Sequence, residues 1–173
     1  MAKNETASAN RRTDIVSAAI EVFAQTGYYR TTTAQVASRA GISQPYVFRF
    51  FSTKEELLLA ALEASWTRIA ESFRQVVATA SPAGLERELI EAYENILEAH
   101  RSEMLLQMQA QTIGEEPIRQ AMRAGFRDIR GIVLEAFRNN GIPDAEQRTM
   151  LFLARGMLCN ISAALGLPEL MET

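Results

Sequence analysis

One short stretch, AGISQPYVFRFF at positions 40–51, concentrates side chains suited to reading a nucleic-acid base edge. Gln44 carries a carboxamide that donates and accepts side by side, complementary to adenine, and Arg49 carries parallel N–H groups matched to guanine. Tyr46 and Phe48 can contact a thymine methyl or lie along sugar and phosphate, while Ser43 and Pro45 stand where a helix bearing these residues would begin. Tyr46, Phe48, Phe50 and Phe51 crowd a segment that would need both an inner and an outer partner.

Other chemistries lack their residues. There is no Gly-rich phosphate loop, no HExxH and no nucleophile elbow, and His100 with Glu94 or Glu103 is a helical surface neighbourhood. The single cysteine, Cys159, is 59 positions from the single histidine, which leaves no disulfide and no zinc cluster to build. No catalytic residue, metal or cofactor is expected.

Helices must position the reading stretch, for helix signals run through the chain and long alternating β-branched runs do not occur. Asp14 can open a first helix whose apolar positions Ile15, Ala18, Ala19, Val22 and Phe23 follow helical spacing, and Gly27 closes it. Thr31, Thr32 and Thr33 offer caps for a second, ended by Gly41. Ser43 can cap a third, with Pro45 in its first turn. Two short helices joined across Gly41, with small Ala37 before it and apolar Val47 after it, are the helix-turn-helix arrangement. Ser52 and Glu55 have capping-box spacing for a long fourth helix, and further helices are expected over about 85–100, 104–111, 118–138 and 145–165. Residues 1–12 read as a disordered tail, 13–53 as the DNA-binding unit and 54–173 as a helical regulatory domain.

Composition agrees with an all-α protein with a polyanion-seeking end. Of 173 residues, 47% are hydrophobic and 23% charged, with a net charge of −3. Residues 1–54 hold seven basic and three acidic side chains, +4, so the remainder carries −7. No stretch reads as a signal peptide or membrane span, and a cytoplasmic protein is expected, associated with the nucleoid when bound.

Residues 13–58, TDIVSAAIEVFAQTGYYRTTTAQVASRAGISQPYVFRFFSTKEELL, resemble the DNA-binding domain of the TetR (AcrR-like) family of bacterial transcription regulators. The resemblance rests on Ala19 and Phe23, Gly27, Thr31 with Thr32, Val36 with Ala37, the turn Ala40 to Ser43, the aromatic pair ending at Phe51, and Lys54 followed by Leu57. It implies a homodimer on an inverted-repeat operator in double-stranded DNA, usually a repressor released by a small molecule. Gln44, Pro45, Tyr46 and Arg49 would then face the major groove, and Thr32, Thr33 and Lys54 would hold phosphates, with Arg30 added on charge. Many members have a tyrosine where this chain has Phe48, and a small residue where it has Tyr46.

The body should make the dimer, because two heads related by a dyad multiply their discrimination. One apolar stripe contains Phe126, Ile129, Val133 and Phe137; another contains Leu151, Ala154, Leu158 and Ile161. Paired across a two-fold they would give a four-helix bundle, as in the family. By the same resemblance an effector pocket lies between the fourth helix and the three after it, with Trp66, Phe73, Tyr93, Leu97, Met104, Met108, Gln111 and Met122 as candidate walls. The alternative is a DNA-binding adaptor with a filled body controlled by a protein partner.

Overall fold

A computed structural model describes residues 2–172, with side chains from Ser8 onward, and its regular elements are all helical. In chain order these are α1 (Ala2–Thr26), α2 (Thr33–Arg39), α3 (Gln44–Val47), α4 (Lys54–Thr79), α5 (Leu85–Ala99), α6 (Arg101–Ala110), α7 (Glu116–Asn139) and α8 (Ala145–Leu165). A short 3-10 turn, Pro168–Leu170, follows. The expected tail is different: Met1 lies outside the described residues, and residues 2–12 continue α1 as helix. Arg12 is drawn onto the structure, its guanidinium 5.1 Å from the centre of the Phe51 ring.

Local caps set the boundaries. Among the three threonines the structure uses Thr32: its hydroxyl accepts from the Gln35 N–H at 3.3 Å, and the Gln35 carboxamide oxygen accepts from the Thr32 N–H at 2.8 Å. α2 ends where Gly41 takes φ +67°, letting the Ile42 N–H reach the Ala37 carbonyl and the Gly41 N–H reach that of Ser38. A side chain at Gly41 would be strained in that conformation. The cap of α4 falls one residue later than the spacing predicts. Thr53 accepts from the Glu56 N–H at 3.0 Å, while the Glu56 carboxylate accepts from the Ser52 N–H at 2.7 Å.

Two apolar clusters hold these helices together. The first joins Ile15, Ala19 and Phe23 of α1, Val36, Val47 and Phe51 to Leu57, Leu58 and Leu62 of α4, and extends to Leu106, Ile118 and Met122. Packing therefore runs without a break across the 53/54 boundary, and α1 rests on α6 as well as on α4. Each large side chain buried there contributes about 1.5–3 kcal/mol. The second cluster lies further along α4 and contains Phe73, Leu89, Val133, Phe137 and Phe152.

That second cluster corrects half of the expected dimer surface. Ile129, Val133 and Phe137 are buried inside the protomer, with Phe137 in edge contact with Phe152 at 6.4 Å. Phe126 is half-buried against Trp66, 5.0 Å between ring centres. α7 has one apolar face and spends it on α4, so nothing large and apolar remains on its outer side. α8 differs: Phe152 and Cys159 face inward, while Leu151, Ala154, Leu158 and Ile161 stay exposed along the other side.

Candidate nucleic-acid interface and effector cavity

The three-helix head presents α3 outward. Val47, fully buried, pins that single helical turn from beneath, and Phe51 closes the core behind it. Ser43 is the N-cap residue without a side-chain capping bond, leaving its exposed hydroxyl free to meet a ligand. Gln44, Pro45, Phe48 and Arg49 are exposed and Tyr46 is half-exposed, with Phe48 retaining 47% of its surface. Tyr46 braces the surface: it packs edge-on to Phe50 at 5.5 Å, and the Arg49 guanidinium sits 5.2 Å from its ring centre.

Three of the expected phosphate holders behave differently from one another. Thr32 is exposed at the start of α2, as the reading requires. Thr33 is buried, and its hydroxyl accepts from the Gln44 amide nitrogen at 2.8 Å, so it orients Gln44 and cannot itself face a phosphate. Lys54 is half-buried: its ammonium donates to the Tyr28 carbonyl at 2.8 Å and to that of Tyr29 at 3.3 Å, and lies 4.6 Å from the Tyr28 ring centre. It satisfies carbonyls left open beyond the end of α1. Arg30 is exposed. Of the head's acids with described side chains, Glu21 pairs with Arg39 and Asp14 with Arg11, whereas Arg30 and Arg49 have no ion pair among the described residues.

Behind the head, the helical body forms a partly open cavity of about 40 Å³. Trp66, Phe73, Tyr93 and Gln111 line it, as the sequence suggests. Leu97, Met104, Met108 and Met122 do not: Met104 is packed away, and Met122 belongs to the core beneath the head. The wall missed by sequence reasoning comes from α8, through Phe152, Leu153, Gly156 and Met157, beside Asn160 of the same helix. Asn160 alone gave a signal, as a polar residue among apolar neighbours.

The cavity lining has polar groups, and its one ionisable side chain is the Tyr93 phenol. The Tyr93 hydroxyl donates to the Asn160 carboxamide oxygen at 2.8 Å, and burial pushes that phenol up to about 12. The Gln107 amide donates to the Ser65 hydroxyl at 3.0 Å. The Trp66 indole N–H is a buried donor without a partner. Trp66 reaches this position because α7 has a glycine there: a Cβ on Gly125 would fall 2.2–2.5 Å from indole atoms Cδ2, Cε2 and Nε1.

Side chains of the body also hold the head directly. Gln109 of α6 donates to the Ala24 carbonyl in the last turn of α1 at 2.7 Å, and the Tyr29 hydroxyl donates to Glu115 at 2.9 Å. Together with Lys54 these bonds fasten both sides of the turn that follows α1.

Comparison with known proteins follows the same division. Residues 15–61 match the family model described as bacterial regulatory proteins, tetR family. The transcriptional activator FasR of Mycolicibacterium smegmatis is 34% identical over 89 residues, 51% of this chain and 41% of that protein. The chain spans about two fifths of the length of the first sequence relatives it matches. A transcriptional regulator from Rhodococcus sp. Rha1 has the same fold, with a TM-score of 0.77 at 24% identity over 92% of this chain and 86% of that one. The fatty acid degradation regulator FadR of Bacillus halodurans aligns with a TM-score of 0.76 at 17% identity, over 89% and 88%. The relatives are named as regulators of transcription, not as enzymes. The capped α2, the left-handed Gly41 turn and the outward α3 all fall inside the matched residues, so the part of the chain that matches the model of bacterial regulatory proteins, tetR family, is its three-helix head.

Proposed function

We propose that the protein is a cytoplasmic, dimeric transcription regulator that reads an inverted-repeat operator with α3 and is released from it by an apolar or amphipathic small molecule. The observation that carries this reading is the outer face of α3. Gln44 is oriented by Thr33, Arg49 lies against Tyr46, and exposed Phe48 stands beside them. Gln and Arg held this way can read base edges, while exposed Thr32, Ser43 and Arg30 would touch the DNA backbone.

Dimerisation falls to α8, whose exposed Leu151, Ala154, Leu158 and Ile161 would pair with the same stripe of a second copy. The two heads must then meet major grooves about 34–36 Å apart. Selection of bound fragments from a genomic DNA library, followed by footprinting, tests the reading. Enrichment of inverted repeats with that half-site spacing is expected; uniform binding to all duplexes at low ionic strength would defeat it.

The effector role rests on the cavity between α4 and the later helices, and a relative named for fatty acid degradation agrees with an apolar ligand. A ligand shifts the protein only by its difference in affinity for the DNA-competent and released states. One observation favours a second reading, in which the body is filled and a protein partner controls it: about 40 Å³ holds roughly three waters and no more. Titrating the protein with 1-octanol while following Trp66 fluorescence and operator affinity decides between them. Changes in both support an effector that opens the cavity, and changes in neither support the filled body.

A further inference from the structure

The first turns of α1 belong to neither apolar cluster. Every described side chain from Ser8 to Asp14 is exposed, and the first buried residue of the helix is Ile15. Helices owe most of their stability to a packed face, and these turns have none among the described residues. The only apolar residues before Ile15 in α1 are Ala2, Ala7 and Ala9, too small for an apolar groove or a lipid surface. A partner for this segment is therefore recognised by charge and hydrogen bonding. Three of the six cations in residues 8–54 are spent inside the protein: Arg11 on Asp14, Arg39 on Glu21, and Lys54 on the Tyr28 and Tyr29 carbonyls. Arg12, Arg30 and Arg49 have no ion pair among the described residues. Arg12 borders a concavity that also contains Glu63 and Glu71, yet it pairs with neither, and its guanidinium lies 5.1 Å from the centre of the Phe51 ring.

We propose that Arg12, seated on Phe51, is a further contact to the DNA backbone and holds a phosphate beside the base pairs that α3 reads. This rests on the DNA-binding reading above. Phe51 follows Arg49 by two residues, so Arg12 sits at the link from α3 to α4, with no more than about 7 Å of backbone between its seat and the base-reading arginine. A guanidinium stacked on an aromatic ring keeps its N–H donors at the rim of its plane, and its planar fork loses little freedom when it closes on an anion. Phosphate accepts from such a fork bidentately. Ser8 lies one turn earlier on the same face and is exposed, with a hydroxyl of the kind that donates to phosphate oxygens. A contact of this sort fixes affinity and register and carries no base preference.

The full chain and its R12Q and R12K variants are titrated, over a range of salt concentrations, against an inverted-repeat duplex recovered from the genomic selection and against a scrambled duplex of the same length. R12Q should flatten the slope of log affinity against log salt by about 0.9 for each bound protomer, and should weaken both duplexes by the same factor. R12K keeps the charge but not the planar fork, so it should restore the slope and recover only part of the affinity. R49Q supplies the contrast, since loss of a base contact narrows the gap between the two duplexes. An R12Q slope equal to that of the unaltered protein overturns the proposal. Weaker binding at an unchanged slope overturns it equally, because Arg12 would then only brace α1 against Phe51. In both cases a retained preference for the inverted repeat leaves the DNA-binding reading standing. Failure of the unaltered protein to bind either duplex removes that reading and this proposal together.

Discussion

At the scale of single residues, geometry reassigns several side chains whose types alone suggested direct contact with a partner. Lys54 and Thr33 look like phosphate holders by charge and hydroxyl, yet one satisfies the carbonyls of Tyr28 and Tyr29 and the other steers Gln44. Arg49 keeps its exposed position and has no ion pair among the described residues. Replacing it with alanine should cost about 1–3 kcal/mol of specific operator affinity and relax preference at one base pair, measured by titration against matched and mismatched duplexes. Gly125 offers a second test. Gly125→Ala would put a methyl group inside the space of the Trp66 ring, and overpacking of this kind costs typically about 1–3 kcal/mol. Thermal unfolding should show the loss, and the emission maximum of Trp66 should move as the indole leaves its seat. The need for Gly125 could not be seen from the sequence, because the ring that presses on it lies far away in the chain.

At the scale of helices, caps and periodicity made most elements legible. Thr32, Gly41, Pro45 and the cluster at Ser52 to Glu56 marked ends within a residue or so of where they fall. The start of α1 was hidden because residues 2–12 have no apolar stripe to announce a helix. The dimer surface was half legible, and the reason is general: an apolar stripe says that a face is buried but not by which chain. The stripe of α7 is consumed by Phe73 and Phe152 within the protomer, whereas α8 has Phe152 inward and Leu151, Leu158 and Ile161 outward. Leu158→Glu together with Ile161→Glu should therefore convert a dimer to a monomer in sedimentation while leaving helical circular dichroism intact. A dimer that survives both changes would rule out α8 as the interface. The cavity wall from α8 was missed for the same reason, since Leu153, Gly156 and Met157 lie between the inner and outer faces of that helix.

At the scale of the whole molecule, burial of the Tyr93 phenol, whose hydroxyl ties α5 to α8 through Asn160, makes stability depend on alkali. The phenol titrates near 10 when unfolded and at about 12 in the folded protein. Below the unfolded value both states hold the proton and the contribution is constant; as pH rises from 10 toward 12 the unfolded chain ionises first and stability falls. Denaturant unfolding should show a loss on the order of 2–3 kcal/mol across that window, and Tyr93→Phe should remove this part of the slope. The fastening of α1 has a different consequence. Phe23, Phe51 and Leu58 share one cluster with Leu106 and Ile118, and Gln109 closes the last turn of α1 from the body. A head cut away after residue 53 would expose the apolar side chains that α4 and α6 cover. Grafting this reader onto another regulator's sensor must therefore carry the first turns of α4 and the facing side of α6 with it, and chimaeras joined at the apparent boundary should aggregate where those joined deeper in α4 fold.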